Sequence, residues 1–215
     1  MTVENNSKQN NEKKSSYGTF FSNIYDPVFF PFLHPLRKKI TEIVLSSKEK
    51  NVIDICCGTG NQLKYLRKAG IQSITGIDIS ENMIKKAAKN NVETYCLKKD
   101  AANTGFETSQ FDTAILSFIL HETKPETARE IMKETRRIVK NKGKIIIADY
   151  VFDEKTSFPG KIGSRLVEGI IGGEHYENFN RYIKHNLLAD FTKGLKQISE
   201  YGFVFGALRI KVFEN

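Results

Sequence analysis

The sequence is poor in cysteine, with only three among 215 residues. None of its apolar runs approaches the roughly 18 to 20 residues of a membrane-spanning helix, and no apolar stretch near the first residue is typical of a secretion signal. These absences argue against a disulfide-stapled, secreted or membrane-spanning protein. They predict a reduced protein with a cytoplasmic location.

Basic residues outnumber acidic ones, 33 to 25, for a net charge of +8. An excess of this size is compatible with an anionic substrate, a membrane surface or nucleic acid. The lysines are scattered along the chain, however, and the sequence lacks a basic helix with interleaved aromatic residues. We therefore expect no specific nucleic-acid partner, and a weak association with a membrane surface stays open.

The length is typical of a single domain with a modest appendage. Residues 1–16 contain almost no apolar side chains and are predicted to be a disordered tail, so that the domain covers residues 17–215. Residues 17–50 begin with an aromatic segment interrupted by Pro27, Pro31 and Pro35, which we interpret as a lid. A helix is predicted to follow in "HPLRKKITEIVLSS", where four apolar residues recur at helical spacing: Leu36, Ile40, Ile43 and Val44.

Strand and helix patterns then alternate through the body of the chain. The predicted strands are "NVIDICC", "SITGIDI", "VETYCLKKDA", "FDTAILSFIL" and "KIIIADYVF". The helices between them include one capped by Ser80 and a long one, "KPETAREIMKETRRIVKNKG", that is expected to end at Gly143. Alternation with nearly continuous apolar strands predicts an α/β fold with a mostly parallel sheet and helices on both faces. Ligands of such sheets bind at the carboxyl ends of the strands.

The turn after the first strand, in "VIDICCGTGNQ", is the most informative stretch. A metal site is disfavoured because Cys56 and Cys57 are adjacent and no matching ligand set follows. The turn lacks the Gly-Lys-Ser/Thr ending of a phosphate-binding P-loop, and the third glycine of the dinucleotide fingerprint is replaced by Leu63. Asp54, on the strand itself, is badly placed for a phosphate and well placed for an ammonium group.

Five segments in order, "VIDICCGTG", "GIDIS", "KKDA", "FDTAILSFIL" and "ETRRIVKNKGKIIIADY", resemble the motifs of class I S-adenosylmethionine-dependent methyltransferases. The paired cysteines and the upstream "YDPVFFPFLHPLRKKI" are similar to the ubiquinone/menaquinone C-methyltransferase group. Most of the superfamily has glycine at the position of Cys56. The quinone group, like this chain, departs from that pattern. The resemblance implies a Rossmann-like, doubly wound fold and S-adenosylmethionine as cofactor.

The resemblance also implies which residues bind that cofactor. Gly58 and Gly60 would let the backbone approach the methionine moiety, and Asp78 would accept hydrogen bonds from the ribose hydroxyls. Asp100 and Ala101 would meet the adenine edge. The full expected cofactor set is Asp54, Cys56, Gly58, Thr59, Gly60, Asp78, Ile79, Met83, Asp100, Ala101 and Ser117, with no metal ligand.

His121, just past the fourth strand, is the candidate catalytic base, with a rate expected to rise with pH near the ~6.5 of free imidazole. A role in capping the following loop is equally compatible with its position. Residues 153–192 are too long for a simple connection and are interpreted as a helical cap over the acceptor. The candidate substrate residues are Tyr25 in the lid and Glu168, His175, Tyr176 and Tyr182 in the cap.

The end of the chain leaves two alternatives for the sheet. Either a sixth strand begins inside "QISEYGFVF" and turns at Gly206 and Ala207, or the seventh strand of the superfamily is missing. Function also has alternatives. Methyl transfer to a small-molecule or lipid-like acceptor is favoured over a cofactor-binding protein without catalysis, and over a nicotinamide-dependent oxidoreductase, against which Leu63 argues. The acceptor and the oligomeric state are not predicted.

Overall fold

A computed structural model describes residues 31–48 and 50–215. The predicted tail, the aromatic part of the lid and the candidate substrate residue Tyr25 therefore lie outside the described residues. Within the described residues, no helix is both long and apolar enough to cross a membrane.

Seven strands form one sheet in the order β3-β2-β1-β4-β5-β7-β6. All neighbouring strands run parallel except β7, which is antiparallel to both β5 and β6. The predicted mostly parallel sheet is confirmed. The strands are β1 (Val52–Ile55), β2 (Ile74–Asp78), β3 (Cys96–Lys98), β4 (Phe111–Ser117), β5 (Val139–Tyr150), β6 (Lys196–Phe203) and β7 (Leu208–Glu214).

Seven helices accompany the sheet within the described residues. They are α1 (31–45), α2 (Asn61–Lys68), α3 (Glu81–Lys86), α4 (Pro125–Ile138), α5 (Phe158–Ile171), α6 (Gly173–Lys184) and α7 (Leu187–Phe191). Short 3₁₀ turns at Ala87–Asn90 and Glu93–Tyr95 extend α3 toward β3. The predicted cap at 153–192 contains α5, α6 and α7.

Apolar periodicity explains how these elements pack. All four residues of β1 are buried, as expected for a strand covered by helices on both faces. In α1, the four apolar residues at helical spacing are buried, and Leu33 joins them. The helix is already present at residue 31 and contains Pro35, so it begins earlier than the sequence predicted.

Two element boundaries were predicted wrongly. The helix α4 ends at Ile138 and not at Gly143, because Val139 already pairs with Phe111 of β4 in the sheet. A bulge follows, with Lys142 in the left-handed region at φ 64°. The predicted strand at 92–101 is reduced to β3, since Glu93–Tyr95 form a 3₁₀ turn. In both places pairing across the sheet overrides the local pattern.

The end of the chain forms two strands, which decides between the alternatives left open by the sequence. β6 and β7 form an antiparallel hairpin that turns through residues 204–207. Leu208, Ile210 and Val212 are buried as their alternation predicts. Arg209 is buried as well, because it forms ion pairs with Asp153 and Glu200.

Strand order fixes where a ligand can bind. The order reverses between β1 and β4, so the helices after these two strands lie on opposite faces and leave a crevice at the carboxyl ends. The loop after β1, the end of β2 and the segment after β4 all meet at this edge. The candidate site is built there.

Candidate active site

The loop after β1 has an unusual backbone. Three of its residues have positive φ: Cys56 (58°), Gly58 (53°) and Gly60 (71°). Hydrogen bonds hold this shape, since the Cys57 N–H donates to the Ile77 carbonyl at 2.9 Å and the Gly60 N–H to the Cys57 carbonyl at 2.9 Å. For Cys56, which has a side chain, a left-handed backbone costs about 1 to 3 kcal/mol, and such strain clusters at ligand sites.

The two glycines of this loop face different surroundings. A Cβ added to Gly58 would meet no atom within 4 Å, whereas a Cβ added to Gly60 would lie 2.5 Å from Cγ2 of Val92. Gly58 therefore presents its bare backbone to the open side of the loop. Gly60 is required by the protein's own packing against the 3₁₀ turn, which differs from the reason the sequence suggested.

This difference predicts opposite results for two alanine variants. Gly60→Ala should lower the free energy of unfolding by about 1 to 3 kcal/mol, because strain and a clash coincide. Gly58→Ala should mainly weaken cofactor binding, with a stability loss of about 1 to 2 kcal/mol from φ alone. Urea unfolding and calorimetric titration with S-adenosylmethionine separate the two effects. Unchanged cofactor affinity in Gly58→Ala would contradict this interpretation of the loop.

Asp78, the last residue of β2, ties the loop to the neighbouring strand. Its Oδ2 accepts the Gly58 N–H at 2.8 Å, and its Oδ1 accepts the Ser80 N–H at 2.8 Å. Each carboxylate oxygen has a second lone pair, so both can still accept a hydroxyl. Ser80 caps α3 through the Met83 N–H, as predicted.

Other candidate cofactor residues surround Asp78 at the strand ends. The Lys99 N–H donates to the Asp78 carbonyl at 3.1 Å and brings the end of β3 alongside. There Asp100 is exposed and accepts the Ala102 N–H at 2.8 Å, which leaves its second oxygen available. Ala101 is buried and Met83 is half-buried. Ile79 is 70% exposed, so its apolar side chain is accessible to a flat ring.

Thr59 has a supporting place in the loop. Its hydroxyl accepts from the Asn61 amide at 3.0 Å, and its carbonyl accepts from Asn90 at 2.8 Å. Ser117, at the end of β4, has a buried hydroxyl with no partner in the described structure. A buried hydroxyl without a partner at a strand end is available to a ligand.

The charges around this loop are negative. Burial raises the pKa of the Cys56 thiol, and four carboxylates add to the increase: Asp78, Glu122, Asp54 and Asp100. A phosphate group would be repelled here, whereas a ligand with a sulfonium and an ammonium group would be attracted. The residues present therefore fit S-adenosylmethionine better than the pyrophosphate of a dinucleotide.

Asp54 is buried at 2% exposure on β1. Burial raises its pKa to about 7, although the Arg37 guanidinium opposes the increase. At neutral pH this carboxyl is therefore close to half ionised. An ammonium group bound nearby would favour the ionised form.

The affinity for S-adenosylmethionine should consequently depend on pH. If the ionised Asp54 binds the cofactor's ammonium, the dissociation constant should increase by up to about tenfold per unit as the pH falls below 7. Asp54→Asn should bind more weakly at pH 7.5 and lose this dependence. Calorimetry between pH 6 and 7.5 measures both. A wild-type affinity that is constant over this range would contradict the role of Asp54.

His121 lies in a closed cluster of polar groups past β4. Its Nδ1 donates to Asp149 Oδ1 at 2.6 Å, and its Nε2 lies 3.8 Å from Glu168 Oε1. Burial lowers the pKa of His121, but the carboxylates of Asp149, Glu168 and Glu122 outweigh it and raise the pKa to about 9. The ring is only 4% exposed, and Tyr150 and Phe179 pack edge-on against it.

Two residues of this region were missed by the sequence reasoning. Asp149, 1% exposed near the end of β5, binds His121 and also accepts the Leu120 N–H at 3.1 Å, so it fixes both the ring and its backbone. The acid at the end of "IIIADY" was the available signal. Glu122, next to His121, is the second, and its charge raises the pKa of Cys56 in the cofactor loop and of His175 in the cap.

The cap is fastened to the segment after β4. Lys124 Nζ pairs with Glu174 at 2.9 Å, and the Asn178 amide donates to the Glu122 carbonyl at 2.9 Å. His175 Nδ1 lies 3.6 Å from the Glu122 carboxylate at the exposed rim. These contacts hold α6 against the segment that follows β4.

The candidate substrate residues of the cap differ in their distance from His121 and its aromatic neighbours. Glu168 faces His121, and the Tyr182 ring lies 6.3 Å from the His121 ring with a buried hydroxyl that has no partner in the described structure. Tyr176 stacks on Phe179 at 6.3 Å. Only His175 lies apart at the rim. Among the described residues, no group of three or more His, Cys, Asp or Glu is arranged to hold a metal ion.

Comparisons with known proteins agree with this geometry. A family described as methyltransferase domain matches residues 52–143. A demethylmenaquinone methyltransferase of Thermotoga maritima is 29% identical over 175 residues, which cover 78% of this chain and 76% of the relative. One of Desulfitobacterium hafniense is 33% identical over 132 residues, or 58% of this chain and 50% of the relative.

Solved structures support the same fold. The plantazolicin methyltransferase BpumL, in complex with a substrate analogue and S-adenosylhomocysteine, has a TM-score of 0.66 at 18% identity, covering 92% of this chain and 90% of that one. A possible histamine N-methyltransferase of Thermotoga maritima has a TM-score of 0.64 at 21% identity, with 93% and 98% covered.

The chain is similar to class I S-adenosylmethionine-dependent methyltransferases, with a methyltransferase domain at residues 52–143, and the comparisons support methyl transfer with S-adenosylmethionine as the cofactor. Within that class it is related to the quinone methyltransferases. The predicted Rossmann-like fold is confirmed.

Proposed function

We propose that this enzyme transfers a methyl group to a small or lipid-like aromatic acceptor that carries an ionisable hydroxyl, as a reduced quinone does. The observation that carries the proposal is the His121–Asp149 pair, which lies among aromatic side chains beneath the cap. The several relatives named demethylmenaquinone methyltransferase support the same acceptor class.

S-adenosylmethionine supplies a methyl group already bonded to a good leaving group, so the protein must mainly align the acceptor and manage one proton. Asp54, Asp78 and Asp100 would bind the ammonium, the ribose and the adenine. Cys56, Thr59, Ile79, Met83, Ala101 and Ser117 would line the same cofactor, beside the backbone of Gly58 and Gly60.

His121 would act on the acceptor from the other side. Its deprotonated ring could take the proton of an acceptor hydroxyl and so make the adjacent aromatic carbon nucleophilic. The bound cofactor would supply its methyl group to that carbon, and the ring carbon would then release its proton to solvent, which restores the aromatic ring. Tyr176, Tyr182, Glu168 and His175 would contact the acceptor from the cap.

An acceptor panel tests this proposal directly. Reduced naphthoquinones without the ring methyl group, a catechol and an aromatic amine are each incubated with methyl-labelled cofactor, and the products are identified by mass and by NMR. We expect carbon methylation of the quinol, and a matched His121→Ala sample controls for background methylation. Exclusive methylation of the amine, or no product with any acceptor, would contradict the proposal. The latter result would favour a cofactor-binding protein without catalysis.

A further inference from the structure

The cap helix α5 has the reverse of the usual pattern of a surface helix, because its apolar side is exposed and its small and polar side is buried. Its buried positions are Gly160, Ser164 and Glu168, which are small or polar. Its large apolar side chains face outward: Phe158 (76% exposed), Ile162 (42%), Leu166 (63%) and Ile170 (79%). These four recur at intervals of four residues, so they share one side of the helix. Contiguous exposed apolar groups of this kind are typical of an interaction surface.

The hairpin turn between β6 and β7 presents a further exposed apolar side chain next to the start of α5. The Ser157 N–H donates to the Phe205 carbonyl at 3.0 Å, which places the turn against the first turn of α5. The Phe205 side chain is nevertheless 69% exposed. Val204 and Phe205 both have positive φ, at 48° and 54°, so an unfavourable backbone presents this ring to the outside. We call the four outward apolar side chains of α5 the α5 face.

The charges on α5 are one-sided. Lys161 is half-exposed and Arg165 exposed, and neither is paired with a carboxylate within the described residues. The helix's single acid, Glu168, is buried beneath it. Lys155 adds a further exposed cation just before the helix, next to the acid Glu154. An apolar face with mainly basic residues around it is the pattern of helices that lie in the interface of an anionic membrane.

We infer that the α5 face docks on an anionic lipid surface, with its apolar side chains among the lipid tails and its cations at the headgroups. A second copy of the chain is a poorer occupant, because a symmetric pairing would bring Lys161 and Arg165 of both copies together. The aromatic segment at 17–30 is also poorer, since its sequence offers one acid, Asp26, to these cations. The inference does not rest on the identity of the methyl acceptor.

Vesicle sedimentation tests the apolar part of this surface. The full-length protein should bind vesicles that contain phosphatidylglycerol. The double variant Leu166→Glu/Ile170→Glu should bind them about tenfold or more weakly. Ile198→Glu is the matched control, because Ile198 is 44% exposed on β6, outside the α5 face. Cofactor-induced thermal stabilisation verifies that each variant is folded. Equal vesicle binding by the double variant and the control would overturn the inference.

A second variant tests the charges without altering apolar groups. Lys161→Ala/Arg165→Ala should reduce binding to the anionic vesicles by about fivefold for each cation, with little change on vesicles of phosphatidylcholine alone. An equal loss of binding to both vesicle types would overturn the inference that these two cations bind anionic headgroups.

Two further measurements address the other occupants. Light scattering should give the same mass for the wild type and for Leu166→Glu/Ile170→Glu. A dimer that this double variant dissociates would overturn the inference in favour of a second copy. In the full chain, Phe29→Ser/Phe30→Ser should leave vesicle binding unchanged. Tighter binding would mean that the N-terminal segment covers the α5 face, and would also overturn it.

Discussion

Replacement of His121 by alanine is expected to lower turnover by about 10² to 10⁴-fold, the contribution of a positioned proton acceptor. Affinity for S-adenosylmethionine should change little, because Asp78 and the loop after β1 are untouched. Steady-state kinetics and calorimetry on the same samples measure the two quantities. Full turnover in His121→Ala would contradict a catalytic role and leave catalysis to alignment of the acceptor alone.

The pH dependence of this reaction distinguishes a base from a merely structural histidine. Because Asp149 and Glu168 raise the pKa of His121 to about 9, the ring is mostly protonated at neutral pH. The rate should therefore rise with pH up to about 9, and not level off near the 6.5 of free imidazole. Asp149→Asn removes one carboxylate and should move the rising limb to lower pH. A wild-type rate that is constant between pH 7 and pH 9 would contradict the role of His121 as a base.

The raised pKa of His121 also makes the stability of the folded protein depend on pH. The folded-state pKa of His121 is raised, so the stabilisation from its carboxylate partners is complete below about pH 6.5 and is lost as the pH rises through about 9. Thermal unfolding of the wild type should show this loss, and His121→Ala should not. This measurement shows whether the ion pairs exist, whatever the ring does in catalysis.

Asp78→Ala is expected to weaken binding of S-adenosylmethionine by about 2 to 3 kcal/mol, the scale of hydrogen bonds to a charged group. That corresponds to a dissociation constant higher by roughly 30- to 150-fold. The structure adds a second reason, since the variant also releases the Gly58 N–H that fixes the loop. Calorimetric titration measures the change, and circular dichroism checks that the fold remains.

Ser80→Ala provides a matched control for Asp78→Ala. It removes the side-chain cap of α3 but retains the Ser80 backbone N–H that binds Asp78. Stability should fall by about 1 kcal/mol, with cofactor affinity nearly unchanged. If both variants lost affinity equally, the effect of Asp78 would be on the loop and helix start and not on the ribose.

The sequence predicted the sheet and the cofactor edge because these depend on local patterns. Buried parallel strands need continuous apolar runs, and "VIDI" and "AILS" satisfy this without reference to distant residues. Glycines and acids immediately after such strands must fall at the carboxyl edge. Asp78 and the loop after β1 could therefore be located from order and spacing alone.

Local patterns failed where distant partners decided the outcome. The helical pattern through Gly143 gave way to the pairing of Val139 with Phe111, since hydrogen bonds across the sheet outweigh a weak local preference. The need for glycine at position 60 came from Val92, which lies 32 residues further along the chain. Neither effect is visible in a short window of sequence.

The state of the candidate catalytic group was decided by tertiary structure alone. The sequence by itself located His121 after β4 and supplied acids elsewhere in the chain. Asp149, however, lies 28 positions further along on β5, and Glu168 lies further still, on α5. A pKa depends on burial and on the distance to charges, which only the folded chain sets. The same holds for α5, whose apolar residues could be counted in the sequence but whose outward direction required the packing of Gly160, Ser164 and Glu168 against the domain.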